Sequence, residues 1–385
     1  MSFVYSKRKN ASLQSFSKFY QGLALFLLLG AGCALGQSVQ AAEVVAPNDP
    51  YWTRQWYLRQ IHAPEAWAMA TGTKKVIVAV LDGGVDITHP DLRDNIWTNP
   101  LELPGDGLDN DQNGLVDDIH GWNFVLNRND VRPMVAGGHQ SEETWSHGTF
   151  VSSIIGASGN NQQGIAGINW NVQLMPLPVL DGDGFGNMPN VIRAIRYAVQ
   201  QRVDVINLSL SGSEYSEELE QAIKMAHDAG VFVVSAVGNG TEQEGTNLDE
   251  MPIYPACMDS GTNAMFGVGG TDTLDQKAPY ANFGRLCTDL VAPAQEFFGA
   301  RPSYRRPSDT ASTSGNYLDG MTGTSLAAPL VSGAAALLRS VRPDLTPDQL
   351  SDALRNSADS IEANLTIEER GRMGAGRLNV AAALA

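Results

Sequence analysis

The chain has 385 residues, 43% hydrophobic and 18% charged, with 42 Asp and Glu against 26 Lys and Arg and a formal net charge of −16. That length suits one large globular domain or two small ones. No block of basic residues occurs, which argues against a nucleic-acid partner.

The first forty residues are set apart. Lys7, Arg8, Lys9 and Lys18 are positive, and no acid precedes Glu43. An apolar run over 22–29 follows, then small residues and Val39-Gln40-Ala41. Basic, apolar and cleavage regions in that order read as a secretory signal over 1–41, cut after Ala41. The apolar run is too short for a comfortable membrane span, and no later segment is expected to span. The expectation is an exported protein, periplasmic or extracellular, whose net charge falls from −16 to −20 with the loss of those four cations. Lipid anchoring at Cys33 is a competing reading. It lacks the large aliphatic residue usual three positions before such a cysteine. Cys257 and Cys287 remain in an oxidising setting and are expected to form a disulfide, two buried thiols being the alternative.

Residues 42–50 are a short polar segment, and 51–385 read as one domain. The stretch 51–67 carries Trp52, Trp56, Tyr57, Ile61 and Trp67, an arm or short helix packing on that domain. Residues 74–81 are nearly all apolar and β-branched, which predicts a central parallel strand covered on both faces. It ends in Asp82-Gly83-Gly84, and an acid at the carboxyl end of such a strand sits where α/β folds place active sites. From Asp109 the chain reads Asp109-x-Asp111-x-Asn113-Gly114-Leu115-x-Asp117, the first half of a calcium loop. Alternating oxygens converge there on one hard cation, with Leu115 offering its carbonyl. His120 stands where a closing glutamate belongs, so the loop is not a complete EF-hand. So many carboxylates in one tight loop would repel each other without a cation.

Ser146-His147-Gly148-Thr149 opens an apolar helix-like segment ending at Gly156, placing His147 near a helix start. Residues 172–180 predict a strand, and 181–186 a glycine-rich edge. Helix is predicted over 191–202 and 217–230, with Gly230 as the stop of the second. Strand is predicted over 203–210 and 231–236. Strands and helices alternate with short connections, the pattern of a parallel α/β sheet wrapped by helices. Met265 to Gly270, a turn near Phe283-Gly284 and Asp289 to Pro293 follow. The polar stretch 295–318 reads as an exposed loop, and 347–357 and 378–384 as terminal helices. Between them, Gly323-Thr324-Ser325 runs into an alanine-rich apolar helix. This puts Ser325 at a helix N-terminus, where free N–H groups stabilise developing anionic charge.

Nucleophilic attack on a carbonyl needs a hydroxyl, a base, a group that orients the base, and donors for the oxyanion. Ser325, His147, Asp82 and Asn239 supply these types. Val78-Ala79-Val80-Leu81-Asp82-Gly83-Gly84 with His89-Pro90-Asp91 resembles the aspartate motif of subtilisin-like serine proteases. His147-Gly148-Thr149 resembles their histidine motif, and Gly323 to Pro329 their serine motif. Asn207-Leu208-Ser209-Leu210-Ser211 and Val237-Gly238-Asn239 resemble the substrate-strand and oxyanion segments.

The resemblance implies a three-layer α/β fold with a mostly parallel central sheet and helices on both faces. It implies an endopeptidase working through Asp82, His147 and Ser325 with Asn239 at the oxyanion. The partners are protein or peptide substrates, and the enzyme is expected to be a monomer. Substrate would pair between Gly184-Phe185-Gly186 and Ser209-Leu210-Ser211. The specificity pocket would be bounded by Gly238, with Ile253 where many members carry glycine, favouring small side chains. A second cation site at Asp91 and Asn161 rests on the resemblance alone. Phe150, Leu330 and Ala294 depart from the family pattern without touching a triad position. An inhibitory N-terminal domain is not recognisable between Ala42 and Pro50.

Overall fold

The computed structural model describes residues 44–135, 141–241, 243–258, 263–304, 306 and 315–385. The secretory segment and Cys33 lie outside these residues. Helices α1 (Trp56–Gln60) and α2 (Ala63–Trp67) open the described chain, realising the aromatic arm. They bury Tyr57, Leu58 and Trp67.

Strand β1 (Gly72–Asp82) follows, then α3 (Glu142–Gly156), β2 (Asn171–Pro178), α4 (Met188–Gln200) and β3 (Val205–Leu208). Next come α5 (Glu217–Asp228), β4 (Phe232–Ala236), β5 (Phe266–Thr271) and β6 (Leu290–Pro293). Strands β7 (Phe297–Ala300) and β8 (Tyr317–Met321) precede α6 (Thr324–Val341), α7 (Pro347–Asn356) and α8 (Val380–Leu384).

Strands β1 to β6 form one sheet in the order β2-β1-β3-β4-β5-β6, and every pairing is parallel. The strands explain the nearly continuous apolar runs. Successive side chains alternate between two cores, because strand residues point to opposite faces in turn. Val76, Val78 and Val80 of β1 enter the core beneath α3 and α6, with Val205, Phe232 and Val234. Ala79 and Leu81 enter the core beneath α4 and α5, with Ile206, Leu208 and Val233. The fold is thus three-layered α/β, as the motifs implied.

Helix α6 runs under the sheet against β1, β3, β4, β5 and β6. Its 18 residues are long and apolar enough to cross a membrane, contrary to the sequence expectation, but 83% of it is buried inside the fold. Its apolarity therefore serves the core.

Two further expectations change. The segment 295–318 is not simply an exposed loop. Its described part pairs β7 with β8 antiparallel, and Phe297, Phe298 and Arg301 are buried. Tyr57 stacks on Phe297 with ring centroids 3.9 Å apart. The histidine helix also begins earlier than its apolar run. Ser141 caps it by accepting from the Thr144 N–H at 3.0 Å, so His147 sits in the second turn.

Candidate active site

The strand order reverses between β1 and β3: the connection after β1 leads to β2 on one side, and that after β3 leads to β4 on the other. Clefts in open α/β sheets form at such a point, beyond the carboxyl ends of the strands. A cleft of about 510 Å³ lies here. Asp82 ends β1, Ser209 to Gly212 follow β3, and Gly238 and Asn239 follow β4, and all of them line it. Helix α3 contributes Glu143, Thr144 and His147, and α6 contributes Thr324 and Ser325.

His147 Nδ1 lies 3.0 Å from Asp82 Oδ1 and 2.9 Å from Oδ2. Asp82 is 1% exposed. Its Oδ1 also accepts the Gly83 N–H at 2.7 Å, which fixes the carboxylate. Close approach is needed between α3 and the turn after β1. A Cβ at Gly148 would stand 2.3 Å from the Gly84 carbonyl and 3.0 Å from Asp82 Oδ1. Burial alone would lower the His147 pKa. The Asp82 charge, its hydrogen bond and the charge of Glu143 together outweigh that and hold it above the ordinary 6.5.

Ser325 sits in the first turn of α6, whose N–H groups lack intrahelical acceptors. Its own N–H meets no acceptor among the described residues. Asn239 Oδ1 accepts from both the Thr324 N–H and the Thr324 hydroxyl at 3.1 Å. That commits the amide oxygen and leaves Nδ2 as the donor. A Cβ at Gly323 (φ 152°) would stand 3.1 Å from Ser325 Oγ and 3.5 Å from Asn239 Nδ2, so a hydroxyl and an amide donor meet beside one point. The positive φ favours glycine there, and a side chain would crowd the hydroxyl.

Gly184, Phe185 and Gly186 form the opposite rim with Leu180 and Asp181. Leu180 and Gly186 bridge antiparallel, and the Asp181 N–H donates to the Phe185 carbonyl at 2.8 Å. Ser209, Leu210, Ser211 and Gly238 line the other wall. Ile253 packs with Val237, Leu248 and Ala256, and the neighbouring Tyr254 and Pro255 line the cleft. Cys257 and Cys287 are bonded, with Cα atoms 4.5 Å apart, just behind this wall.

In the acidic loop, one oxygen each of Glu102, Asp109 and Asp111 lie within 4.8 Å of one another. Glu102 was not visible in the sequence pattern. It is 5% exposed, its Oε1 accepts from the Asn110 and Asp111 N–H groups, and its Oε2 is buried without a partner. Asn113 Oδ1 accepts from the Leu115 N–H and its Nδ2 reaches Asp111 and Asp118. Asp117 turns away from the trio and accepts from the Gly105 and Gly107 N–H groups at 2.8 and 3.1 Å. An orphaned carboxylate oxygen beside two more carboxylates fits a hard cation such as calcium.

Asp91 and Asn161 lie close to one another and to Asp49. Asp91 Oδ2 accepts from the Ile165 N–H and the Tyr317 hydroxyl, while Oδ1 is buried without a partner. Asn161 Oδ1 accepts from the Gln163 N–H at 2.7 Å. Asp49 accepts from the Asn160 and Asn161 N–H groups. Burial pushes both Asp49 and Asp91 above the usual carboxylate range, and the Asp91 charge adds to this at Asp49.

A buried carboxylate on an imidazole, beside a serine at a helix start, is an arrangement of the serine-hydrolase class. The comparisons agree with that class. The sequence profile of the subtilase family matches residues 73–376, and the chain belongs to that family. Thermitase of Thermoactinomyces vulgaris is 33% identical over 86% of this chain and 97% of its own length. The major intracellular serine protease of Bacillus subtilis is 33% identical over 77% of this chain and 78% of its own. Subtilisin-like protease 1 of Plasmodium berghei is 30% identical over 82% of this chain, which spans about half (52%) of that relative's length. Among solved structures, a protease of Pseudoalteromonas arctica superposes with a TM-score of 0.67 at 28% identity, covering 88% of this chain and 98% of its own.

Proposed function

We propose that the chain is an exported serine endopeptidase, acting as a monomer and stabilised by calcium. One observation carries the catalytic reading: both Asp82 oxygens lie within 3.0 Å of His147 Nδ1, in the cleft that also holds Ser325 and Asn239. Asp82 fixes the tautomer that leaves Nε2 as the base. His147 takes the Ser325 proton while Oγ attacks the scissile carbonyl. The Ser325 N–H and Asn239 Nδ2 receive the oxyanion. His147 then protonates the leaving amine, and water hydrolyses the acyl-enzyme by the reverse sequence. Substrate lies extended between the 184–186 and 209–211 rims, held by main-chain hydrogen bonds.

Calcium at Glu102, Asp109 and Asp111, with a second ion at Asp49, Asp91 and Asn161, would neutralise buried carboxylates and take no part in the chemistry. Export rests on the signal-like segment, with cleavage after Ala41 and lipidation at Cys33 as rival outcomes of N-terminal sequencing. A fluorophosphonate probe tests the activity. It should label wild type at Ser325, with peptide cleavage lost in Ser325→Ala while the fold is kept. Unlabelled but folded wild-type protein would instead mark a silent relative that only binds.

A further inference from the structure

In an α-helix each carbonyl accepts the N–H four residues on. For Ser325 that residue is Pro329, inside α6, which has no N–H. The helix cannot satisfy the carbonyl of its own serine, and a buried acceptor left alone is costly. The donor comes from another element. Ser209 Oγ, just past the end of β3, donates to the Ser325 carbonyl at 2.8 Å.

That bond is the last link of a longer chain. Asn207 Nδ2 donates to Ser209 Oγ at 2.9 Å, and Ser332 Oγ donates to Asn207 Oδ1 at 2.8 Å. Ser332 lies seven residues beyond Ser325, two turns along the same face of α6. The relay thus leaves α6 at Ser332, crosses to β3 and returns to α6 at the carbonyl of Ser325.

Ser332 and Asn207 are fully buried, and Ser209 is 6% exposed. On the same face of α6 Ser332 is flanked by buried Ala328, Pro329, Ala335 and Ala336, where a polar group is costly unless bonded. A hydroxyl has one proton, so each link fixes the next. The Ser209 proton goes to the carbonyl, so Ser209 accepts from Asn207. This turns the Asn207 amide oxygen towards the Ser332 hydroxyl.

We propose that Ser332 and Asn207 are positioning residues for Ser325. Acting through Ser209, they hold the Ser325 carbonyl and so set where its Oγ and N–H stand. Ser209 also belongs to the rim along which substrate pairs, so the relay locks that rim and the serine helix into one register. The inference rests on the reading of Ser325 as nucleophile. Misplacing a reacting group by about 1 Å costs on the order of 100-fold in rate, so loss of one distant link should cost roughly tenfold.

The test uses the full chain carrying Ser332→Ala, Ser209→Ala, both together, or Ser340→Ala. Ser340 is the control, because among the described residues its hydroxyl bonds only to the Leu337 carbonyl of the same helix. Active sites are titrated with a fluorophosphonate. The labelling rate constant, kcat per titrated site and KM for a short peptide amide are then measured.

Ser332→Ala should lower the labelling rate and kcat roughly tenfold, with KM changed less than about twofold. Ser340→Ala should match wild type. The double variant should be no slower than Ser209→Ala, because the links act in series. A Ser332→Ala enzyme with fewer active sites but wild-type rates per site would overturn the proposal. So would a double variant slowed by the product of the single effects. If wild type neither labels nor cleaves, the nucleophile reading fails and this proposal falls with it.

Discussion

Asp82 presents both carboxylate oxygens to one nitrogen of His147, and Glu143 stands one helical turn before that histidine on the same cleft wall. The imidazole is therefore held above its ordinary pKa of 6.5 despite burial, which alone would lower it. The base must be neutral to act, so activity should rise as pH climbs through that raised value. A pH profile of kcat/KM should show its acid limb centred above 6.5. Glu143→Gln should move the limb to lower pH, since it removes a charge favouring the imidazolium. A limb centred at or below 6.5, or unmoved in Glu143→Gln, would contradict this account.

Thr324 commits the Asn239 amide oxygen and so aims its Nδ2. Asn239→Ala should lower kcat by roughly 10²–10³ with KM little changed, a magnitude borrowed from the oxyanion asparagine of subtilisin. Thr324→Val should cost less, because the backbone N–H of residue 324 still holds the amide. Steady-state kinetics on one peptide substrate rank the two. Equal losses would mean that Thr324 does more than orient Asn239.

Removal of calcium should destabilise the protein rather than alter its chemistry. A ligand bound only to the native state at about 100 times its Kd stabilises by about 2.7 kcal/mol. Scanning calorimetry with and without chelator reads this as a fall in Tm. Glu102→Gln should reduce the chelator-sensitive part, because Glu102 supplies the unpartnered buried oxygen. A Tm indifferent to chelator removes calcium from the account.

The bridge from Cys257 to Cys287 spans 30 residues and anchors the turn that carries Tyr254 and Pro255 into the cleft. A loop of that size contributes about 3–4 kcal/mol by the chain-entropy estimate. Cys257→Ser/Cys287→Ser should therefore melt earlier. It should also raise KM more than it lowers kcat, since Tyr254 and Pro255 line the cleft wall. Alkylation of both thiols in unreduced wild type would show that the bridge is not formed.

The sheet, and the placing of Asp82 and Ser325 at the ends of its elements, were legible because their signals are local. A buried parallel strand needs a continuous apolar run, and 74–81 supplies one. Asp82 and Ser325 sit at a strand end and a helix start that the chain itself marks. The segment 295–318 was misread because its partners lie far away. Glu142 pairs with both Arg301 and Arg306, and Asp86 accepts from the Ser303 N–H and hydroxyl. Polar composition alone cannot reveal such ties. Glu102 escaped notice for the same reason, because only the fold brings it to Asp109 and Asp111. Nothing in the local sequence marks Ser332 within its alanine-rich helix, and its hydroxyl gains meaning only once β3 lies beside it.

The residues just ahead of α1 are stitched to the body rather than trailing from it. The Val45 N–H donates to the Pro64 carbonyl, and Asp49 gathers the turn at Asn160 and Asn161. Exopeptidase trimming that halts at Glu43 leaves this seam whole. Erosion through Asp49 would release a turn more than a hundred positions away in the chain. Ragged processing of the amino end should thus be tolerated only over a narrow margin.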